Sequence, residues 1–378
     1  MNDVHKKPAL VITRFPFESA WGGEESHTLS LARFFRDKGY EVVFMGSCQV
    51  LLRRFHDDGF AVRRVWGGRM FVTRWELLKS FVLSPFIKWN LSRHFVKLCE
   101  EYEVKAMYCL SLNEKLLLTT VALGRGIPVT WVEHQEIRAW LMKSPWRSVY
   151  LRFSRYLKIV PISSMNQKLL LELGVDDDSL VQIVHGVDID TLLKIKRQTE
   201  KGLVVFANRF IPKKGAADFV AAIHSLANEH PLRVMLIGEG PDRDEIELLC
   251  HDHLKDVNVS LHDFLKKENW FTLLSRADVF VLPSRDCSET FSISTAEAMA
   301  AGVKVVVTKC SGIAEYLTDH RDSFLCEPSN PMDLASGIRV ALHSSDQIRD
   351  AARRTATETF DSGRMLSEYD TVIFRKDA

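Results

Sequence analysis

A chain of 378 residues exceeds the usual span of one hydrophobic core, so two domains are the first expectation. With 46% hydrophobic and 26% charged residues, the composition is that of a folded globular protein and not of a disordered or fibrous one. Fifty Lys/Arg against forty-nine Asp/Glu leave a formal net charge of +1, without the clustered basic footprint that a nucleic-acid backbone demands.

Seven cysteines without a CxxC pair do not make a disulfide framework in a chain this long, and they read as reduced thiols in a cytosolic protein. The opening MNDVHKKPALVIT lacks the apolar stretch and small-residue cleavage site of a signal peptide. No run of about 18 apolar residues spans a membrane.

In chain order, residues 9–13 are an unbroken apolar run, the pattern of a strand buried on both faces. Gly22 and Gly23 follow in a predicted loop, then a helix over 26–38 ending at Gly39 and a strand over 41–45. Strands at 104–110, 128–132 and 157–161 extend the same sheet. A charged, strand-poor stretch from Lys194 to Gly202 suits a linker, after which the alternation restarts. Strands are predicted at 203–207, 232–237, 258–261, 279–282 and 304–308, with helices at 214–229, 242–252, 266–276, 293–301 and 331–343. Alternating strands and helices point to an α/β fold with two doubly wound, Rossmann-like parallel sheets. Ligands in such sheets bind beyond the carboxyl ends of the strands, and two of them facing each other would make a cleft. Expected boundaries are 1–190 for the first domain and 191–360 for the second. A final helix within 361–378 carries Met365, Leu366, Tyr369, Val372 and Ile373 on one face and is expected to return to the first domain.

The most informative stretch runs from Pro283 to Gly302 and sets Glu289 and Glu297 eight residues apart. Glu289 falls in the loop after a strand and Glu297 in the helix that follows. Backbone N–H groups around Thr290, Phe291 and Ser292 lie near that helix N-terminus, where phosphate can bind. Taken alone, two glutamates in such a stretch are ordinary surface groups. Arg209 and Lys214 follow the first strand of the second domain, and taken alone they too are ordinary surface residues; Lys213 is the neighbouring alternative. Gly238 and Gly240 in Leu-Ile-Gly-Glu-Gly-Pro permit a tight turn beside a ligand. His134 stands after a strand of the first domain.

These motifs together resemble the glycosyltransferase family 4 (GT4) group of retaining GT-B enzymes, over nearly the full chain. The resemblance rests on Glu289 followed by Glu297-Ala-Met-Ala and Gly302, on Asn208 through Gly215, and on the Gly238–Gly240 loop. It implies an acceptor-binding first domain and a nucleotide-sugar-binding second domain. It also implies transfer from a UDP- or GDP-sugar to an acceptor hydroxyl, in cell-surface polysaccharide or glycolipid synthesis. Arg209 and Lys214 would face the diphosphate, Glu289 the transferred sugar, Glu297 the ribose and His134 the sugar and acceptor. Gly22, Gly23, Gly238, Gly240, Thr290, Phe291 and Ser292 would line the donor. The displacement it implies is front-face, with no covalent adduct on Glu289 and no cofactor.

The chain departs from the family pattern at several places. Asn208 stands where a glycine is usual, Ser311-Gly312 replaces a glycine pair, and Thr290-Phe291-Ser292 follows Glu289. The last departure puts bulk where the donor phosphates would lie. No Asp-x-Asp metal motif stands out, since Asp242-Arg243-Asp244 reads as the first turn of a helix, and no His/Cys cluster suggests zinc. The alternative functions are a nucleotide-sugar epimerase or hydrolase on the same fold, and a non-catalytic sugar- or lipid-binding homologue.

Charge is uneven along the chain. Residues 1–190 carry 26 Lys/Arg and 21 Asp/Glu, whereas 191–378 carry 24 and 28. Residues 138–158 hold six basic residues and no acidic one, with Trp146, Tyr150, Phe153 and Leu157 on one helical face and Trp140 nearby. Residues 61–98 add eight basic residues and one acidic, with Phe81, Phe86 and Trp89. Both segments fit an anionic membrane surface, which would place a cytoplasmic protein at the inner face of a membrane beside a lipid-linked acceptor. The same apolar faces also fit as cover for the first domain's sheet.

Overall fold

The computed structural model describes residues 6–15, 22–68, 74–134, 139–142, 144–229, 231–286 and 288–374, with the side chains of 74–81 and 139–140 outside that set. The chain divides into two compact units, residues 1–183 with 366–378, and residues 184–365.

The first unit is built on β1 (Pro8–Arg14), β2 (Glu41–Gly46), β3 (Ala61–Arg64), β4 (Glu103–Cys109), β5 (Val129–Glu133) and β6 (Lys158–Pro161), paired in the order β3-β2-β1-β4-β5-β6. Every pairing is parallel. The second unit repeats the arrangement with β7 (Leu203–Ala207), β8 (Arg233–Ile237), β9 (Asn258–His262), β10 (Val279–Leu282), β11 (Lys304–Thr308) and β12 (Phe324–Cys326), in the order β12-β11-β10-β7-β8-β9. Each is the doubly wound order, whose direction reverses beside its first strand. The central strands are covered by helices on both faces, so all residues of β7, β10 and β11 are buried, and only Lys304 and Thr308 among them are polar. Even Lys304 is buried, its ammonium donating to the carbonyls of Ala341 (2.9 Å) and Ser344 (2.8 Å).

Several boundaries differ from the sequence reading. The first helix spans Gly23–Asp37, so Gly23 is its first residue and not part of a loop. The expected helix over 214–229 is split into a 3-10 turn at Pro212–Lys214 and a helix at Ala216–Leu226, with Gly215 left-handed between them at φ 74°. The charged stretch 194–202 is no free tether. Gln198 and Glu200 donate backbone N–H groups to Ser275 and Arg276, and the Arg197 guanidinium holds the Ala277 carbonyl at 2.6 Å.

The last helix, Ser362–Phe374, contributes Tyr369 and Ile373 to the interior of the first unit. Tyr369 packs on His27 (5.1 Å) and Tyr108 (5.9 Å), Phe374 stacks on Tyr40 (4.5 Å), and Asp370 pairs with Lys38 at 2.7 Å.

The apolar face predicted over 146–157 faces inward. Trp146, Tyr150 and Leu157 are buried in the core that also holds Trp131 and Met107, and Tyr150 lies 4.7 Å from Trp131. Arg147 is turned to the Leu173 carbonyl at 2.9 Å, and Arg155 pairs with Asp176 at 3.5 Å. Helical spacing identified a real face, and the sheet covers it. The side chains of Phe81 and Trp140, which belonged to the same expectation, lie outside the described residues.

Candidate active site

In the second unit β7 and β10 are neighbours, while the chain continues from β7 toward β8 and from β10 toward β11, on opposite sides. The loops leaving their carboxyl ends therefore diverge around a crevice, the position where such sheets hold ligands. The β7 loop carries Asn208, Arg209 and Lys214; the β10 loop carries Glu289.

Gly215 brings the two loops into contact. A Cβ at this position would lie 1.8 Å from the Pro283 carbonyl oxygen, a distance no side chain tolerates. The close approach is reinforced by the Arg285 N–H donating to the Lys213 carbonyl (2.9 Å), and by the Arg285 guanidinium gripping Asp218 through bonds of 2.7 and 2.6 Å. Lys214 is consequently buried and its ammonium is ion-paired to Oε2 of Glu289. Asn208 donates its side-chain amide to the same oxygen at 3.0 Å. Its own Oδ1 accepts the Arg209 backbone N–H at 2.9 Å. Lys213 and Arg209 are both exposed, so of the two adjacent lysines only Lys214 meets the carboxylate.

The Glu289 loop is also fixed from its other side. Gly312 donates its N–H to the Glu289 carbonyl (2.7 Å), and a Cβ there would lie 2.0 Å from the Thr290 oxygen. Phe291 is buried against His185 (5.5 Å) and Phe360 (5.4 Å). Ser292 caps the helix Ile293–Ala300 by accepting from the Thr295 N–H. Thr290, Phe291 and Ser292 are all buried, so the bulk expected beside the phosphates is packed inside the unit. On that helix Glu297 accepts the Trp270 indole N–H at 2.6 Å. Burial raises its carboxyl to about 7, against the opposing pull of that bond and of Lys267. Gly238 and Gly240 close the β8 loop onto β7's: added Cβ atoms would lie 1.9 Å from the Asn208 oxygen and 2.2 Å from the Phe210 oxygen.

In the first unit the helix begun at Gly23 brings His27 to His134, their rings 5.1 Å apart and edge-on. His134 is buried at the end of β5. Beside it Glu133 receives the Lys115 ammonium (2.7 Å) and the Tyr150 hydroxyl (2.8 Å) on one oxygen. Gly22 lies directly before the helix and accepts the Ser26 N–H at 3.0 Å. Among the described residues, no group of three or more His, Cys, Asp or Glu side chains is placed to hold a metal ion.

The sequence pattern of Glycosyltransferase Family 4 matches residues 21–191, and that of Glycosyl transferases group 1 matches residues 189–359. The structure of HepE from Anabaena, in complex with UDP and glucose, superposes with a TM-score of 0.74 at 17% identity, covering 97% of this chain and 98% of that one. The chain belongs to the GT-B-fold glycosyltransferases. Among relatives, sulfoquinovosyl transferase SQD2 of Arabidopsis thaliana is 24% identical over 378 residues, which is 94% of this chain and 71% of that protein. The N,N'-diacetylbacillosaminyl-diphospho-undecaprenol alpha-1,3-N-acetylgalactosaminyltransferase of Campylobacter jejuni is 22% identical, over 95% of this chain and 99% of its own length. Further relatives match over about half of their length.

In this glycosyltransferase Arg209, Lys214, Gly238, Gly240, Glu289 and Glu297 all fall in the group 1 match, and Gly22, Gly23 and His134 in the family 4 match. The structure adds residues that sequence reasoning passed over. Asn208 opens the Asn208–Gly215 stretch but carried no role of its own there, yet it bridges the two site loops. Trp270 carried no motif, and its link to Glu297 spans 27 positions. Arg14, buried at the end of β1, pairs with Glu24 (3.3 Å) and Glu25 (2.8 Å) and so fixes the start of the Gly23 helix. Its sequence signal was a single cation closing an apolar strand.

Proposed function

We propose that the protein transfers a sugar, with retention of configuration, from a UDP- or GDP-sugar to a hydroxyl of a lipid-linked acceptor, and that it needs no catalytic metal. The observation that carries this reading is the junction of Lys214, Asn208 and Glu289 at the switch point of the second unit, a buried cation and a positioned carboxylate in one crevice. The second unit then holds the donor and the first the acceptor. The complex of HepE with UDP and glucose, and the diphospho-undecaprenol for which the Campylobacter jejuni transferase is named, support a nucleotide donor and a lipid-linked acceptor here.

In this reading the bond between the anomeric carbon and the leaving phosphate breaks, and both electrons go to the nucleoside diphosphate. Lys214 and Arg209 stabilise the charge that grows there. The acceptor oxygen bonds to the same face of the anomeric carbon, and its proton passes to the departing phosphate oxygen. Glu289 orients the sugar through its hydroxyls. With Oε2 already engaged by two protein donors, Oε1 is the oxygen offered to the ligand. Glu297 holds the ribose. Phe291 and Ser292 are turned inward, so contacts from Thr290–Ser292 to the donor come from the backbone. We place the protein in the cytoplasm, where nucleotide sugars are made.

The test is a panel of nucleotide sugars with and without extracted membrane lipids, following the product's anomeric configuration by NMR. Acceptor-dependent transfer with retention, undiminished by EDTA, is expected. Inversion at the anomeric carbon or a metal requirement overturns the mechanism. Rapid donor turnover without acceptor would instead favour an epimerase or hydrolase.

A further inference from the structure

The long helix Arg74–Glu101 has two apolar faces and only one of them is used by the core. Ile87, Leu91, Phe95 and Leu98 are buried in the first unit. On another face Val82, Phe86, Trp89 and Arg93 follow at steps of four, three and four, so they line up along the helix. Val82 is 78% exposed, and Phe86 and Trp89 are each 56% exposed. Trp66, from the segment after β3, lies 6.5 Å from the Phe86 ring and is itself 55% exposed. Phe86 stacks on Trp89 at 5.9 Å, and the Arg93 guanidinium sits 5.7 Å from the Trp89 ring. Single exposed apolar residues need no explanation, but a contiguous aromatic cluster on one face does.

We infer that this cluster is a docking surface for an anionic lipid bilayer. Charge selects the occupant. The helix carries five Lys/Arg against three Asp/Glu, and the acidic residues are confined to its ends at Glu76, Glu100 and Glu101, the last paired to Arg63. The field of those cations is felt at His94, which is held below its ordinary value by burial first and then by Arg63, Arg93 and Lys97. A second copy of the chain would bring like-charged faces together across an isologous interface, which is unfavourable. Anionic lipid meets both parts of the surface: its phosphates pair with the cations, and indole and phenyl rings settle among the headgroups. Among the described residues no helix is long and apolar enough to cross a membrane, so the contact is peripheral. The inference rests on the first unit's surface alone and stands or falls separately from the proposed chemistry.

The full chain is sedimented with vesicles of phosphatidylcholine alone and of phosphatidylcholine with phosphatidylglycerol. Binding to the second kind only, weakened by salt, is expected. A Trp66→Ser, Phe86→Ser, Trp89→Ser variant should partition at least about tenfold less, with an unchanged melting temperature, because removing interfacial aromatic area weakens insertion. An Arg93→Glu, Lys97→Glu variant should bind less while retaining its aromatic rings. Equal partitioning of wild type and the aromatic variant overturns the inference, as does equal binding to both vesicles. Sedimentation velocity covers the remaining occupant: a dimer in wild type that the aromatic variant abolishes would assign the surface to a second copy instead.

Discussion

Asn208 and Lys214 hold the same carboxylate oxygen of Glu289, one through a side-chain amide at 3.0 Å and the other through an ion pair. Asn208 also anchors the Arg209 backbone, so one side chain sets both the carboxylate and the cation-bearing loop. In the resembled family a glycine is usual here, and this chain has added a donor. Replacing Asn208 by Gly or Asp removes a hydrogen bond to a charged group, an interaction of about 1.5–3 kcal/mol. The expected result is a fall in kcat of about 10–100-fold with little change in KM for the donor. Asn208→Asp should fall at least as far, because it sets a second carboxylate beside the first. A change confined to KM, or none at all, would show that Asn208 only closes the loop.

Stability and activity should separate at the ion pair. Lys214→Met alone leaves Glu289 with the Asn208 amide as its remaining protein partner on that oxygen, and breaking a buried pair costs about 3–5 kcal/mol. Glu289→Gln alone leaves the buried ammonium without its counter-charge. The double variant Lys214→Met, Glu289→Gln removes both charges and should recover much of the lost stability in urea titrations. Turnover should stay about 100–1000-fold down in all three, since each lacks the cation aimed at the leaving phosphate, the carboxylate that orients the sugar, or both. Recovery of activity along with stability would make the pair a structural device.

Gly215 is the joint between the site loops. An Ala here would need a left-handed backbone and would place its Cβ 1.8 Å from the Pro283 oxygen. The strain of φ 74° in a non-glycine residue is about 1 kcal/mol, and the collision adds to it. Gly215→Ala should lower the melting temperature and also depress kcat, because the loop must swing Lys214 away to make room. Gly126, also left-handed but with nothing within 4 Å of an added Cβ, is the control. Gly126→Ala should cost the backbone term only and leave kcat alone.

Strand-rich segments were legible in the sequence because a parallel sheet covered on both faces needs unbroken apolar runs, as in β1 and β7. β3 escaped notice because Ala61–Arg64 is short, half-exposed and ends in two arginines at the sheet edge. β12 is three residues long. Helical spacing gave the face of Trp146, Tyr150 and Leu157 correctly, but spacing does not say what covers a face, and here it is the sheet. The choice between Lys213 and Lys214 needed the left-handed turn at Gly215. The partnership of Asn208 with Glu289 spans 81 positions and has no local signature at all.

Glu297 should give the site an opposed pH dependence in its free and loaded forms. Its carboxyl is raised from an ordinary 4.5 to about 7 by burial. Between these values the folded chain keeps a proton that the unfolded chain has lost. Stability linked to this group is therefore fully present below about pH 4.5 and declines as pH rises through about 7. Donor binding should run the other way. A ribose hydroxyl donates best to an ionised carboxylate, so affinity should rise through the same window and level off above it. Calorimetric titration with an intact nucleotide sugar from about pH 5 to pH 8 checks this, because its esterified phosphates bind no proton in that range. Parallel melts of the unliganded protein follow stability. Glu297→Gln cannot titrate, so both curves should lose this component, with melts flatter near neutrality and affinity low at every pH. Wild-type affinity that is flat from pH 5 to 8, or a Gln variant that keeps the wild-type slope, would take the ribose away from Glu297 and leave its bond to Trp270 as packing alone.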